Sequence, residues 1–543
     1  MLATAGLLLT LFSFKDEFFD VSRNLEIFSS LYREVNMYYV DPVDADKLMK
    51  TGIDAMLETL DPYTSFIPES EMENYRFMMT GQYGGIGALI KQHGDYIVVT
   101  EPYEGSPALR NDIRAGDQFL EVDGKSVKGK KTEDLSRMLK GTPGTSVKLL
   151  FHREGITEPI EKIIIREEIK VKAVPFASVL QDGIAYVKLN SFTDHAAEKV
   201  EESIKELRKN SDVKGMILDL RGNPGGLLQE AVNVSNIFVK SGQDIVSTKG
   251  RLSELNSTYQ TKKTPLEPTT PLVVLVNSNS ASASEIVSGS LQDLDRAVII
   301  GQRTYGKGLV QSTRPLSYNT QLKVTTSKYY IPSGRCIQAL DYTHKQEDGS
   351  AGKIPDSLIH EFKTKGGRTV TDGGGILPDV ITENKKFSAI TSTLISKSLI
   401  FDYATYFHTL HDSIAPVDQF QLSEKEWKDF VHYLDNKNMD YTSQSEHTLA
   451  DLKKNAVEES YYSSIEKEYD NLEAKLKEIK KADLEKNRLE ITELLEEEII
   501  SRYYFQSGRS FTSLMHDKDV LSALSLLKDD TRYRSILSGK QNK

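Results

Sequence analysis

The sequence predicts a multidomain α/β chain whose two ends are helical, and three observations carry that reading. Between Ile184 and Ile300, short apolar runs alternate with stretches of helical spacing, the pattern of strands and helices wound into one sheet. Glycine-rich turns close several of these runs, as turns at strand ends do. Residues 18–79 and 384–543 instead read as helical; within Glu466–Ile500 the apolar positions are mostly three and four apart, with some drift of register in the middle. A length of 543 residues leaves room for about three or four domains.

Charge and cysteine content narrow the function classes. The net charge is −11, so no nucleic-acid partner is expected. The one cysteine, Cys336, can form no internal disulfide, and ten scattered histidines show no metal-ligand spacing. The expectation is a chemistry with no metal and no cofactor.

Taken in order, Leu2 to Phe14 is apolar apart from small and hydroxyl residues. Such a run is too short to span a bilayer and fits the apolar part of a signal peptide or membrane anchor. Residues 1–15 are read that way, which implies export and a membrane contact through the N-terminus. Residues 16–80 form a helical region. Leu25, Phe28, Leu31, Tyr32 and Val35 make one apolar stripe; Met49, Ile53, Met56, Leu57 and Leu60 make another. The turn Asp61-Pro-Tyr-Thr-Ser-Phe-Ile-Pro68 follows them.

Residues 81–166 resemble a PDZ domain. Tyr83-Gly84-Gly85-Ile86-Gly87 is similar to the loop whose amides bind a peptide's terminal carboxylate. Ala88-Leu89-Ile90 is similar to the strand edge on which the peptide adds. Gly105-Ser-Pro-Ala108 and Ile113-Arg-Ala-Gly-Asp-Gln-Phe-Leu-Glu-Val-Asp-Gly124 complete the pattern. Leu135, Met138 and Leu139 would line the groove. A free carboxylate needs fixed N–H donors, and small residues let the backbone approach it.

Farther on, Ile184–Leu189 reads as a strand and Ala196–Leu207 as a helix. The strand Gly215–Leu220 ends in Arg221-Gly222-Asn223-Pro224-Gly225-Gly226, and the helical run Leu227–Phe238 follows. A glycine-rich turn between strand and helix exposes backbone amides. The strand Leu272–Val276 ends in a serine-rich turn, and a helix is expected from Ala283 to Leu291. Another strand, Ala297–Ile300, stops at Gly301. Lys307 then lies in a glycine-flanked turn. Gly301-x-x-x-x-Gly306-Lys307 looks like the start of a phosphate-binding loop, but Gly308 stands where that motif needs Ser or Thr, and Leu309-Val310-Gln311 runs on as a strand.

A lysine near a serine can act as its base, provided the amine is neutral. From an ordinary pKa of about 10.4, work near neutral pH needs a drop of roughly 2–3 units, which burial can supply. Gly306, Gly308 and the apolar Leu309-Val310 suit a half-buried amine. Among Ser280, Ser282 and Ser284, the residues alone choose no nucleophile.

The segment Asn277-x-x-Ser280-Ala-Ser-Ala-Ser-Glu-Ile286, with the Leu291-Gln-Asp293, Thr304-Tyr-Gly-Lys-Gly308 and Val310-Gln311 that follow, resembles the C-terminal processing peptidases, or tail-specific proteases. The resemblance implies a ClpP/crotonase-like protease core over residues 167–383. It gives Ser282 as nucleophile, Lys307 as general base and Gln311 as the residue orienting the lysine. It gives an oxyanion hole from Ala283 and from Gly225 or Gly226. It makes the N-terminal helices a brace or a surface on which two chains pair. Past about Asn384 the resemblance stops, and residues 384–543 read from their own pattern as a C-terminal helical extension: a bundle, a dimerisation arm or a partner-binding appendage. The strand Leu322–Ile331 ends in Pro332-Ser-Gly-Arg335, and Gly374-Gly-Ile-Leu-Pro-Asp-Val380 resembles the segment that ends the core. The polar insert between them, Asp341–Thr371, is expected as a mobile loop.

The expected activity is that of a serine endopeptidase recognising free protein or peptide C-termini, exported to the bacterial periplasm or cell envelope. The alternative is a catalytically silent PDZ scaffold. A trypsin-like site has no Gly-[Asp/Asn]-Ser-Gly-Gly turn here, and a zinc peptidase has no His-Glu-x-x-His.

Overall fold

The computed structural model describes residues 2–346, 349–435, 437 and 439–540, leaving aside the side chains of residues 2–18 and Asp356. Two compact units make up the chain. The first holds residues 1–69 with 311–325, and the second holds residues 70–310 with 326–543. The bounds expected from sequence, 16–80 for the N-terminal region and 167–383 for the core, cut across this division. A hairpin segment from the middle of the chain joins the N-terminal helices.

In the first unit, the helix Leu2–Tyr38 includes the apolar Leu2–Phe14 run, and Ala45–Glu58 is a second helix. Gly52 lets the Phe28 ring approach, at 3.9 Å from where a Cβ would stand. Asp61 Oδ1 accepts from the Tyr63 and Thr64 amides, both at 2.8 Å, which fixes the turn. That turn leads into the strand Ser65–Ile67, paired antiparallel with Gln321–Lys323. Leu25, Phe28 and Leu31 of the predicted stripe are exposed. Among the described residues no helix is long and apolar enough to cross a membrane.

The second unit is organised around a six-stranded sheet in the order Phe176–Leu180, Ile184–Lys188, Gly215–Asp219, Leu272–Val276, Val298–Gly301, Val380–Ile381. The first pair is antiparallel and the others are parallel. Parallel strands are apolar on both faces and need a cover on each. Val187, Leu218 and Val274 point to a core built with the helices Ala196–Asn210, Leu228–Phe238 and Ala283–Asp293. Tyr186, Ile217 and Leu275 point to the other face. There they meet Val520, Leu524, Tyr533 and Ile536 of the helices Lys518–Lys528 and Asp530–Leu537. The segment expected as an extension therefore divides: its last two helices cover the second face of the six-stranded sheet.

The rest of that segment forms a bundle around Tyr403, Phe430, Trp427 and Leu495. The stripe expected across Glu466–Ile500 drifts in register where the chain breaks into Tyr462–Lys480, Asp483–Lys486 and Arg488–Met515.

The expected mobile insert is instead two small hairpins, Leu340–Lys345 with Ala351–Lys353 and Glu361–Lys363 with Thr369–Thr371. Arg368 ties the second of them to the core. It is buried, and it donates to Asp295 Oδ1 at 2.6 Å, Asp379 Oδ1 at 2.5 Å and Gln292 O at 2.8 Å. A polar composition alone cannot reveal an arginine paired inside the fold.

Residues 88–165 make a small antiparallel sheet in the order Ala88–His93, Tyr96–Pro102, Gln118–Val122, Ser146–His152, Ile160–Ile165. Its core includes Ile97, Phe119, Leu149 and Phe151.

Candidate active site

The serine-rich turn is built by burying two of its three serines. Ser280 and Ser284 have no exposed surface. Their hydroxyls donate to Leu220 O at 2.8 Å and Asn223 O at 2.9 Å, tying the turn to the glycine-rich loop of the neighbouring strand. Ser282 is half-buried and starts the helix Ala283–Asp293 from φ 54°, ψ −112°. A non-glycine residue there costs about 1–3 kcal/mol, strain that sharp strand-to-helix turns use to expose a nucleophile. Burial and backbone geometry thus separate Ser282 from its neighbours, which the residue types alone did not.

Glu285, which the sequence reading did not single out, binds the pieces together. Its side chain is fully buried. Oε2 accepts from the amides of Ser282 (2.8 Å) and Lys307 (2.9 Å). Oε1 accepts from the Gly306 amide (2.7 Å) and the Thr304 hydroxyl (2.6 Å). Burial pushes this carboxyl above the usual range in spite of the four donors. A signal for it existed: Ser282-x-x-Glu285 at a helix start has the spacing of a capping box.

Lys307 is half-buried, as its neighbours suggested. Its turn needs both flanking glycines. A Cβ on Gly306, at φ +85°, would lie 2.4 Å from Ala339 Cβ, and one on Gly308 would lie 2.8 Å from the Gln338 amide. Gln338 Oε1 accepts from the Gly308 amide at 2.7 Å, so Gln338 is a second supporting residue that the sequence did not flag. Gln311 belongs to the first unit, where its amide donates to Thr325 Oγ1 at 3.1 Å.

The glycine-rich loop meets the serine turn directly. A Cβ on Gly225 would stand 2.9 Å from both Ser282 Cβ and the Ala283 amide nitrogen. The Gly225 amide is already used, donating to Asn223 Oδ1 at 2.9 Å. Among the described residues the Gly226 and Ala283 amides donate to no acceptor. The loop leaves from Arg221, whose guanidinium lies against Asp219 at 2.7 Å. Burial alone would raise the Asp219 carboxyl, but Lys188 and Arg221 outweigh it and hold the group far below the carboxylate range.

Beside the PDZ-like sheet, Tyr83, Gly84 and Gly85 lie on a separate strand, Gln82–Gly85, paired with Glu167–Lys170. The carbonyls of Ile86 and Gly87 accept from the Ala108 and Tyr103 amides, at 2.8 and 2.9 Å, which fixes the loop. Ala88 begins the strand Ala88–His93 at the edge of its sheet, so among the described residues one side of that strand has no partner strand. Of the three residues expected along the groove, Leu135 and Leu139 are buried in the domain core and Met138 is half-buried.

The profile of Peptidase family S41 matches residues 183–356, that of a PDZ domain residues 98–153, and that of "Probable PDZ-protease, C-terminal helical domain" residues 390–527. A carboxy-terminal-processing protease of Bartonella bacilliformis is 36% identical over 324 residues, 59% of this chain and 74% of that protein. A probable CtpA-like serine protease of Staphylococcus aureus is 35% identical over 318 residues, 58% of this chain and 62% of that protein. A solved photosystem II D1 C-terminal processing protease is 28% identical, covering 66% of this chain and 92% of its own, with a TM-score of 0.34. The chain belongs to peptidase family S41: it is a serine peptidase related to the carboxy-terminal-processing proteases, with a PDZ domain and a C-terminal helical domain.

Proposed function

We propose that this peptidase takes hold of a substrate's free C-terminus with its PDZ domain and cuts upstream through an acyl-enzyme on Ser282. The Ser282 hydroxyl attacks the scissile carbonyl and passes its proton to the neutral amine of Lys307. The resemblance assigns Gln311 to orient that amine. The C–N bond then breaks, the leaving amine takes the proton back, and water hydrolyses the ester. The amides of Gly226 and Ala283 receive the oxyanion, and those of the turn between the strands Gln82–Gly85 and Ala88–His93 receive the substrate's carboxylate.

The observation that carries the reading is the shared carboxylate of Glu285. One oxygen within 3 Å of the Ser282 and Lys307 amides sets the two turns at a fixed spacing before substrate arrives. Export to the cell envelope, contact with the membrane and pairing of two copies through the N-terminal helices, where Leu25, Phe28 and Leu31 are exposed, belong to the same proposal.

Labelling with a fluorophosphonate, followed by mapping of the modified residue, tests the chemistry. Wild type and the Ser280→Ala and Ser284→Ala variants should be labelled at Ser282, and Ser282→Ala should not. Lys307→Ala and Lys307→Arg should both stop turnover while folding survives, because a guanidinium does not deprotonate. Turnover that persists in Ser282→Ala would remove the mechanism. A peptide with an amidated end binding as well as one with a free carboxylate would remove the tail recognition.

A further inference from the structure

We propose that Asp517 and Asp519, from the C-terminal helical segment, are positioning residues for the oxyanion loop and act through Arg221. This rests on the reading above, in which Gly226 and Ala283 receive the oxyanion. Arg221 is the residue from which that loop departs. Its Nε and Nη2 are spent on Asp219. Its Nη1 reaches across nearly 300 positions of sequence, to Asp517 Oδ1 and Asp519 Oδ2, both at 2.9 Å. Both Nη1 protons are used, and the guanidinium is mostly buried.

The two aspartates stand on a fixed base. Asp517 caps the helix Lys518–Lys528, accepting from the Asp519 and Val520 amides at 2.9 and 3.2 Å. That helix is packed on the core sheet through Val520, Ala523 and Leu524. The carboxylates therefore do not follow the arginine; the arginine is held by them. Its backbone is pinned as well. Lys188 Nζ donates to Arg221 O at 2.7 Å, and the Gly222 amide donates to Asn277 Oδ1, in the serine turn, at 2.9 Å.

Such pinning matters because the loop has three glycines, at 222, 225 and 226, and a glycine-rich loop is loose unless held from outside. Oxyanion donors work only when they are aimed before charge develops, at no reorganisation cost during the reaction. Charge adds to the argument. Lys188 and Arg221 face three carboxylates, those of Asp219, Asp517 and Asp519. Neutralising the last two leaves a surplus of positive charge and a side chain free to pull the loop toward Asp219 alone.

The test uses the full chain and three readouts: the thermal midpoint, the rate of fluorophosphonate labelling at Ser282, and kcat and KM on a peptide with a free C-terminus. Asp517→Asn combined with Asp519→Asn should lower kcat and the labelling rate together by about 10–100-fold, short of the loss from deleting an oxyanion donor. KM should stay within twofold, measured well below the thermal midpoint. Asp519→Glu should keep most of the activity. Should the double variant not fold, Asp519→Asn alone, which leaves the Asp517 cap intact, should still lower kcat several-fold without moving KM. Unchanged labelling and kcat in the folded variants would overturn the proposal, as would a loss expressed in KM. If wild type is not labelled at Ser282, the proposed mechanism fails and takes this inference with it. Normal wild-type labelling beside unaffected variants sinks the inference only.

Discussion

The Glu285 carboxylate accepts the Ser282 amide at 2.8 Å through the same oxygen that receives the Lys307 amide, and it does so with no exposed surface. Glu285→Gln should be unusually harmful for an isosteric change. Whichever way the amide is turned, its NH₂ would face two donors, and each buried group left unsatisfied costs about 1–3 kcal/mol. Thermal unfolding should show a loss of at least about 2 kcal/mol, and labelling of Ser282 should fall with it. A variant as stable and as reactive as wild type would refute the bridging role.

Backbone strain at Ser282 predicts an inversion between two inactive variants. At φ 54° an alanine keeps the penalty, whereas a glycine relieves it. Ser282→Gly should therefore unfold at a higher temperature than Ser282→Ala, by an amount on the order of 1 kcal/mol. The reverse order in calorimetry would argue against the strained conformation.

The second cover of the core sheet predicts what truncation does. Tyr533 both accepts from the Leu272 amide (2.9 Å) and donates to its carbonyl (3.0 Å), at the start of a central strand. Ending the chain after Met515 would strip Val520, Leu524, Leu526, Tyr533 and Ile536 from the sheet. At roughly 1.5–3 kcal/mol per side chain, that approaches the whole 5–15 kcal/mol of a typical domain. The truncated chain should be insoluble or bind a dye specific for exposed apolar surface. Tyr533→Phe should cost only about 1 kcal/mol. A soluble, cooperatively folding truncation would contradict the layer assignment.

Glu497 predicts a pH dependence. Burial, with help from Glu498 and Glu493 and against Lys385 and Arg509, pushes its carboxyl up to about 7. The folded chain then holds a proton that the unfolded chain releases at lower pH. Stability from this group is full at acid pH, falls as pH rises from about 4.5 through 7, and levels above that. Glu497→Gln should flatten that slope and raise the thermal midpoint at pH 8 relative to wild type. An unchanged slope would show that the group titrates normally.

Much of this protein could be read from local pattern. The strands Leu272–Val276 and Gly215–Asp219, the helix after Ser282 and the glycine turns at 225 and 306 lie where their residues predict, because strand and helix periods are short-range properties. Family resemblance, not local pattern, points to Ser282, Lys307 and Gln311. Which serine stands apart from its buried neighbours was settled by burial, since Ser280 and Ser284 are spent on carbonyls more than fifty positions away in sequence. Glu285 gathers donors 19 to 22 positions distant, Arg368 ties the second hairpin of a polar insert to the core, and the last two helices return to cover a sheet begun near residue 176. Periodicity says that a face is apolar or a group is polar, but not what covers it or pairs with it. That is decided only when distant segments meet and each buried polar group must find a partner.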